Sequence, residues 1–247
     1  MNMKKRADQL LVERGLADSR SRAQALIAAG LVMLDAAPVG KPGRMVAEDA
    51  ALAVTGTDHP WASRAGLKLA AALDRFDIDP TGATALDIGA STGGFTDVLL
   101  ARGAAHVYAV DVGHDQLVPR LRADPRVTVL ERMNARLLTA AEVPAPVGLV
   151  TCDASFIGLE AVLPASLALA APGARLVALV KPQFEVGPGR VGKGGIVRDP
   201  DLHDAVCRRI EAWLGGLAGW RVLGLVPSPI EGGDGNREFL IAGERAR

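Results

Sequence analysis

Four charged residues stand where the sequence around them reads as buried. Lys181 follows the apolar run LVALV at 176–180, and Pro182 comes straight after it. Lys68 falls inside the stripe of RAGLKLAAALDRF that Ala65, Leu69, Ala72, Leu73 and Phe76 form at helical spacing. Asp153 ends the strand-like run at 148–152, and Glu238 lies in GNREFLIA on the face shared with Leu240. Each alone has an ordinary explanation, because lysine stems snorkel and acids cap helices. Two cations and two anions set against the grain of buried elements are harder to dismiss. Unpaired buried charge costs several kcal/mol, so the four are tolerable if they meet one another. Taken out of water and set beside a second ammonium, an amine becomes easier to deprotonate, the direction that general-base work needs.

A second constellation follows the strand-like run ending in ALDI. In ALDIGASTGGFTDVLL the glycines are Gly89, Gly93 and Gly94, which breaks the G-x-G-x-x-G spacing of a dinucleotide loop. The stretch is more similar to the acid-x-G-x-G-x-G loop of S-adenosylmethionine (SAM) methyltransferases, as Asp87, Gly89 and Gly93, with Ser91 in the middle glycine's place. A pyrophosphate needs helix-start amides, whereas SAM carries an ammonium and a carboxylate that need an acid and backbone groups. Asp111 ends the next strand in VYAVDVG, where a carboxylate can accept both ribose hydroxyls of an adenosyl group. Loop, spacing and acid together favour SAM over a nicotinamide cofactor.

The elements that must position these residues alternate. Strands are predicted at 85–88, 106–110, 127–130, 148–152, 176–180, 221–226 and 237–242, and helices at about 64–76, 94–102, 115–122, 158–171 and 200–214. Asp199 and Pro200 give the last helix good capping chemistry. The pattern is that of an α/β domain with a doubly wound, Rossmann-like parallel sheet. Asp153 and Lys181 then fall just past the carboxyl ends of core strands, the edge where such sheets bind ligands. Ahead of this domain, Ala7, Leu10 and Leu11 predict a helix stopped near Gly15. Ser21-x-x-Gln24 reads as a capping box for a second helix that buries Ala23, Leu26 and Ile27 and ends at Gly30. Strand-like runs at 31–34, Val46 and 52–54 complete a small α+β module of two helices on one curled sheet. The expected division is a module at 1–57, a linker at 58–63 with Trp61 as a docking anchor, and the large domain at 64–247.

Bulk properties close off other classes. Hydrophobic residues make up 49% and charged residues 23% of the 247-residue chain, so a substantial core is available and disorder is not expected. No apolar run reaches the roughly 18 residues of a membrane helix, and 161–180 is interrupted by Pro164, Pro172, Gly173 and Arg175. MNMKKRADQLL lacks the apolar core of a signal peptide. Cys152 and Cys207 form neither a disulfide framework nor a metal-ligand cluster, which fits a reducing cytoplasm. Ser91, Cys152 and the histidines His59, His106, His114 and His203 have no partner at a recognisable spacing, so no nucleophile or metal site is expected.

The net charge of zero hides an asymmetry: residues 1–22 hold six Lys/Arg against three acids. Arg20 and Arg22 sit at the predicted start of the second helix, where basic residues are unfavourable by a few tenths of a kcal/mol. Such a broken local rule often marks function. Two guanidiniums beside free helix-start amides would hold a phosphate. A further basic segment, 181–198, has four Lys/Arg against Glu185 alone and reads as a phosphate-facing flap.

The segment RADQLLVERGLADSRSRAQALIAAGLVMLDAAPVGKPG resembles the S4 RNA-binding domain. The ordered set Lys68, Asp153, Lys181, Glu238 is similar to the K-D-K-E tetrad of FtsJ-like RNA 2′-O-methyltransferases. With the S4-like module in front, and with KPQFE, GPGRVGKGGIVRD and GNREF, essentially the whole chain resembles the TlyA (hemolysin A) family of ribosomal-RNA ribose methyltransferases. The resemblance implies methyl transfer from SAM to a ribose 2′-hydroxyl, of cytidine, in ribosomal RNA or ribosomal subunits. It implies Lys181 as general base, Asp153 orienting Lys181 and the methyl donor, and Lys68 and Glu238 fixing the hydroxyl and balancing charge. Desolvation and the second ammonium of Lys68 act in the direction that favours an amine as base. The candidate cofactor-binding residues are Asp87, Gly89, Ala90, Ser91, Gly93, Gly94, Phe95, Asp111, Val112, Asn134 and Asp153. The candidate RNA-binding residues are Lys4, Lys5, Arg6, Arg20, Arg22, Lys41, Arg64, Arg190 and Lys193. No metal and no membrane partner is implied, and oligomeric state stays open. Three rivals are weaker: a non-catalytic RNA-binding or assembly protein with a vestigial methyltransferase fold, against which the intact tetrad and loop stand; a membrane-lytic hemolysin, for which the sequence has no strongly basic amphipathic helix; and a small-molecule methyltransferase, which leaves the S4-like module and the basic segment 181–198 unexplained.

Overall fold

The structure, a computed structural model, describes residues 4–17, 20–56, 59–187, 189–232 and 235–247, without the side chain of Ser21. Two compact units divide the chain, Met1–Pro60 and Trp61–Arg247.

In the first unit, β1 (Lys4–Arg6) runs straight into α1 (Ala7–Glu13), followed by α2 (Arg20–Ala28), β2 (Val32–Leu34), β3 (Ala37–Pro38), β4 (Met45–Ala47) and β5 (Leu52–Val54). The apolar positions anticipated on both helices, Ala7, Leu10, Leu11, Ala23, Leu26 and Ile27, form one buried cluster with Val32, Val46 and Leu52. The single curled sheet expected from sequence is instead two sheets, a β1–β4 pair and a three-stranded β3–β2–β5. The loop between β3 and β4 separates them. Its Arg44 and Pro42 carbonyls accept the amides of Ala7 and Asp8, which fixes the chain beside β1 rather than beside β2. The expected capping box is not what Gln24 does: its amide donates to Asp8, and the Ser21 side chain lies outside the described residues.

The second unit contains α3 (Ala65–Phe76), β6 (Thr84–Ile88), α4 (Gly94–Ala101), β7 (His106–Val110), α5 (Pro119–Arg122), β8 (Val127–Leu130), β9 (Val147–Cys152), α6 (Leu159–Ala168), β10 (Ala170–Val180), α7 (Pro182–Glu185), α8 (Pro200–Gly216), β11 (Trp220–Pro227) and β12 (Phe239–Arg245). The sheet order is β11-β12-β10-β9-β6-β7-β8. Neighbours from β10 to β8 pair in parallel, and β12 is antiparallel to both β10 and β11. Side chains alternate between two cores: Leu176, Ala178 and Val180 face one side of the sheet, Val177 and Leu179 the other. A strand buried on both faces reads as a continuous apolar run, which is why LVALV stands out in the sequence.

The chain leaves β6 for β7 and β8 on one side and returns to β9 on the other, so the topological switch point lies between β6 and β9. Gly89 follows β6 there with φ 80°, and a Cβ would stand 2.9 Å from the Cα of Ala154, beyond β9. Glycine is required for both reasons. Three predicted boundaries differ. The helix expected at 115–122 is only α5, because Asp115 adopts φ 54° and the amides of Asp115 and Gln116 turn to Glu131. The helix expected at 158–171 ends at Ala168, and β10 begins at Ala170, with a break in pairing across Pro172 and Gly173. Glu238, expected within the last strand, precedes it by one residue.

Candidate active site

Two ion pairs occupy one crevice at the carboxyl end of the parallel strands. Lys68, near the start of α3, places Nζ 2.5 Å from Glu238 Oε2. Lys181, one residue past β10, places Nζ 2.6 Å from Asp153 Oδ1 and donates to the Asp153 carbonyl and to Ser155 Oγ, both at 3.0 Å. Lys68, Lys181 and Glu238 are buried and Asp153 is nearly so. The register explains the meeting. Val180 pairs with Phe239 across the antiparallel β10–β12 ladder, so the residue after one faces the residue before the other. Reversing β12 is what brings Glu238 to the ligand edge. All four side chains line a cavity of about 410 Å³, together with Ser63, Gln183 and Phe184. Removing one partner of either pair would strand the other, at a cost of about 3–5 kcal/mol.

An adjoining cavity of about 340 Å³ shares Gly89, Ser91, Asp153, Ser155 and Phe156 with the first. Its walls are apolar at Ile88, Val110, Met133, Ile157 and Val162, and polar at Asp111 and Asn134, with Val112 exposed at the rim. Asp111 is held by the amides of Ser91 (2.8 Å to Oδ2) and Gly113 (2.7 Å to Oδ1). Asn134 Oδ1 accepts the amide of Arg136. Ala90, Gly94 and Phe95 line the first cavity.

Two of the expected cofactor residues line neither cavity. Asp87 is fully buried and accepts the hydroxyls of Thr96 (2.7 Å) and Thr151 (3.0 Å), so it clamps β6 to α4 and β9 rather than facing a ligand. Burial, with the nearby charge of Asp153 adding to it, pushes its carboxyl up to about 7 against the two hydroxyl hydrogen bonds. Gly93 has φ 99°, and a Cβ there would collide with Leu117 and Leu121, so it serves loop packing.

The candidate RNA contacts divide. Lys4 and Lys41 are exposed, as are Arg190 and Lys193 between α7 and α8, and Arg22 is part-exposed on α2. Lys5 pairs with Glu13 and Glu48, and Arg64 donates to the Glu231 carbonyl. Arg20 is not simply poised at a helix start: its Nε closes on Asp8, as does Arg6. Lys181 belongs to the buried site and not to a basic flap. The rest of that segment is fastened at Val197, whose amide donates to Asn236 and whose carbonyl meets His203 Nε2.

Sequence reasoning missed several residues here. Ser155 and Phe156 line both cavities. Phe156 is 89% exposed with φ 65°, and its ring lies 4.9 Å from that of Phe184. A bulky residue in the left-handed region is strained, a feature that gathers at functional sites. Its neighbours CDAS and IGLE give no hint of this. Glu185 accepts the amide of Leu159 (2.8 Å) and pairs with Arg209 (2.5 Å). The cysteines are inert: burial pushes the Cys152 thiol up to about 12 and that of Cys207 up to about 11. Among the described residues no group of three or more His, Cys, Asp or Glu could hold a metal ion, and no helix is long and apolar enough to cross a membrane.

A seven-stranded sheet of this order, with its cavities at the carboxyl edge, is the architecture of a Rossmann-like methyltransferase. The FtsJ-like methyltransferase family model matches residues 61–245, and the S4 domain model matches residues 5–52. The chain is 50% identical over 246 residues to the 16S/23S rRNA (cytidine-2′-O)-methyltransferase TlyA of Mycobacterium tuberculosis H37Rv, covering 98% of this chain and 90% of that one. It is 37% identical to Hemolysin A of Brachyspira hyodysenteriae, over 95% and 98% of the two chains. A structure named "Putative hemolysin from Streptococcus thermophilus" superposes with a TM-score of 0.78 at 40% identity, covering 100% of this chain and 90% of that one. The chain belongs to the TlyA family of S4-domain-bearing, FtsJ-like methyltransferases.

Proposed function

We propose that this protein transfers the methyl group of SAM to a ribose 2′-hydroxyl of ribosomal RNA, that of a cytidine, with Lys181 as general base. The observation that carries this reading is the convergence of the tetrad Lys68, Asp153, Lys181 and Glu238, as two ion pairs, on the wall of one cavity, directly beside a second cavity suited to an adenosyl group. The named relative from M. tuberculosis supports the substrate class. In this reading residues 1–57 bind RNA, 58–63 connect, and 64–247 hold the donor and the reacting ribose, in the cytoplasm where ribosomal RNA is found.

The second cavity fits the donor on its own chemistry. Its apolar walls suit adenine, and each Asp111 oxygen has taken one backbone amide and keeps capacity for a ribose hydroxyl. Gly89, Ser91 and Asn134 frame it. When bound, SAM supplies an activated methyl group and its own leaving group. The chain's residues do the rest. Lys181 first gives up a proton of its own; its neutral Nζ then takes the proton of the 2′-hydroxyl, a poor nucleophile until that proton leaves. Asp153 and Ser155 aim Nζ, and the Lys68–Glu238 pair holds the hydroxyl and balances the charge. Phe156 and Phe184 offer aromatic faces to a base of the RNA at the mouth. Alignment of the reacting atoms is the larger part of the rate.

The test uses the purified protein, isotope-labelled SAM and 23S ribosomal RNA transcribed in vitro. Transfer to ribose is expected for the wild type. Lys181→Ala is expected to abolish transfer while leaving SAM affinity, measured by calorimetry, within a few-fold. Full transfer by that variant would refute the base.

A further inference from the structure

We propose that Asp8 is the positioning residue of an RNA-backbone site on the first unit, its buried carboxylate setting Arg6 and Arg20 side by side for phosphate. This rests on the reading of that unit as the RNA binder.

Asp8 lies in the first turn of α1 and is fully buried. Arg6 grips it with two parallel bonds, Nε to Oδ1 and Nη2 to Oδ2, each 2.9 Å. Arg20 Nε and Gln24 Nε2 reach the same Oδ2 at 3.0 and 2.9 Å. One carboxylate thus joins β1, α1 and α2. The paired fork geometry fixes direction as well as distance. Yet the arginines are not buried with it: the Arg6 and Arg20 side chains are 39% and 52% exposed. A guanidinium carries five N–H donors, and these contacts engage two of Arg6's and one of Arg20's. The Arg6 hydrogen bonds outweigh burial and hold the Asp8 carboxyl well below the usual carboxylate range, so it stays ionised throughout the working pH range.

The same turn of α1 also holds the neighbouring cations. The amides of Ala7 and Asp8 donate to the carbonyls of Arg44 (2.9 Å) and Pro42 (3.1 Å), which anchors the loop bearing the exposed Lys41 and Arg44. Gly43 lies under the Arg6 guanidinium, where a Cβ would stand 3.2 Å from Nη1, so a side chain at 43 would press on Arg6. Two free arginines would repel and sample many rotamers, and ordering them on binding costs affinity. Asp8 holds them together beforehand.

The sign of one substitution separates this from an ordinary structural ion pair on a basic surface. Removing an acid from such a surface should tighten binding of a polyanion by simple electrostatics. Loss of a positioning carboxylate should weaken it. With the full-length protein and in-vitro transcribed 23S ribosomal RNA in a filter-binding assay, Asp8→Asn is expected to weaken binding about tenfold. SAM affinity should be unchanged. Added to Arg6→Ala/Arg20→Ala, it should cost little more, since the three act as one unit. Gln24→Leu, which keeps the carboxylate and both arginines, covers the case in which Asp8→Asn unfolds the unit, as seen by circular dichroism. It should weaken binding a few-fold, and an unchanged affinity there would overturn the proposal. Equal or tighter binding by folded Asp8→Asn, with Arg6→Ala/Arg20→Ala weakened, removes the positioning role alone. Wild-type binding by Arg6→Ala/Arg20→Ala removes the RNA-binding reading beneath it.

Discussion

Lys181 is held by three oxygens, two from Asp153 and one from Ser155, and that arrangement separates its charge from its lone pair as an experimental question. An arginine at 181 would keep a cation facing Asp153 but stay protonated. Lys181→Arg is therefore expected to lose at least about a hundredfold in kcat, the usual range for a missing general base, with SAM affinity near wild type. Near-normal turnover would make charge, not proton transfer, the role of this position. Asp87 makes a different prediction, about stability. Its folded-state value of about 7 lies above its ordinary value of 3.8. The stability tied to the protonated form is thus fully present below pH 3.8 and is lost as pH rises through about 7. Asp87→Asn should flatten the fall in Tm between pH 5 and pH 8, and an unaltered slope would mean that Asp87 is not the titrating group. At this scale, misplaced charge was legible: all four tetrad residues violate the burial pattern around them. Asp87 was read as a ligand contact because a sequence shows that an acid ends a strand, not whether it is sealed inside the fold with Thr96 and Thr151, away from both cavities.

The elements matter through the two short loops that carry Asp153 and Lys181. Glu185 joins them, taking the Leu159 amide at the start of α6 while pairing with Arg209 of α8. Gly158 lies against the same carboxylate, where a Cβ would stand 3.1 Å from Oε2. Glu185→Gln, which turns an amide toward Arg209, should lower stability by about 2 kcal/mol and reduce kcat more than it raises KM for RNA. A loss of stability with unchanged kcat would limit Glu185 to the fold. The parallel strands were legible from their doubly apolar runs, and their bounds agree within about a residue for β6 to β9. The antiparallel direction of β12 was not, since pairing partners leave no mark on the alternation of a single strand. α7 was hidden for another reason: PQFE is one turn, too short for a helical period. The capping-box reading failed because Gln24 had a stronger partner, the charge of Asp8, than a helix-start amide.

The whole molecule joins a unit with cations on its surface to a unit with paired charges in a cavity, and in the proposed function these divide binding from chemistry. Arg6→Ala/Arg20→Ala in the full chain should raise KM for ribosomal RNA with little change in kcat. The plot of log affinity against log salt should become shallower by about 1–2, as two phosphate contacts are lost. A fall in kcat at unchanged KM would place those arginines in catalysis instead. The two-part organisation was legible because two helices with brief strand-like runs give way, past the expected linker at 58–63, to alternating strands and helices; the compact units divide after Pro60. The target nucleotide was not, since base identity is read by surfaces that only the folded chain assembles. The most direct measurement is a map of ribose 2′-O-methylation across ribosomal RNA from cells with the gene intact, deleted, or replaced by the Lys181→Ala form. A cytidine methylated in the intact strain and unmodified in the other two is the predicted result. Identical maps in all three strains would contradict the account.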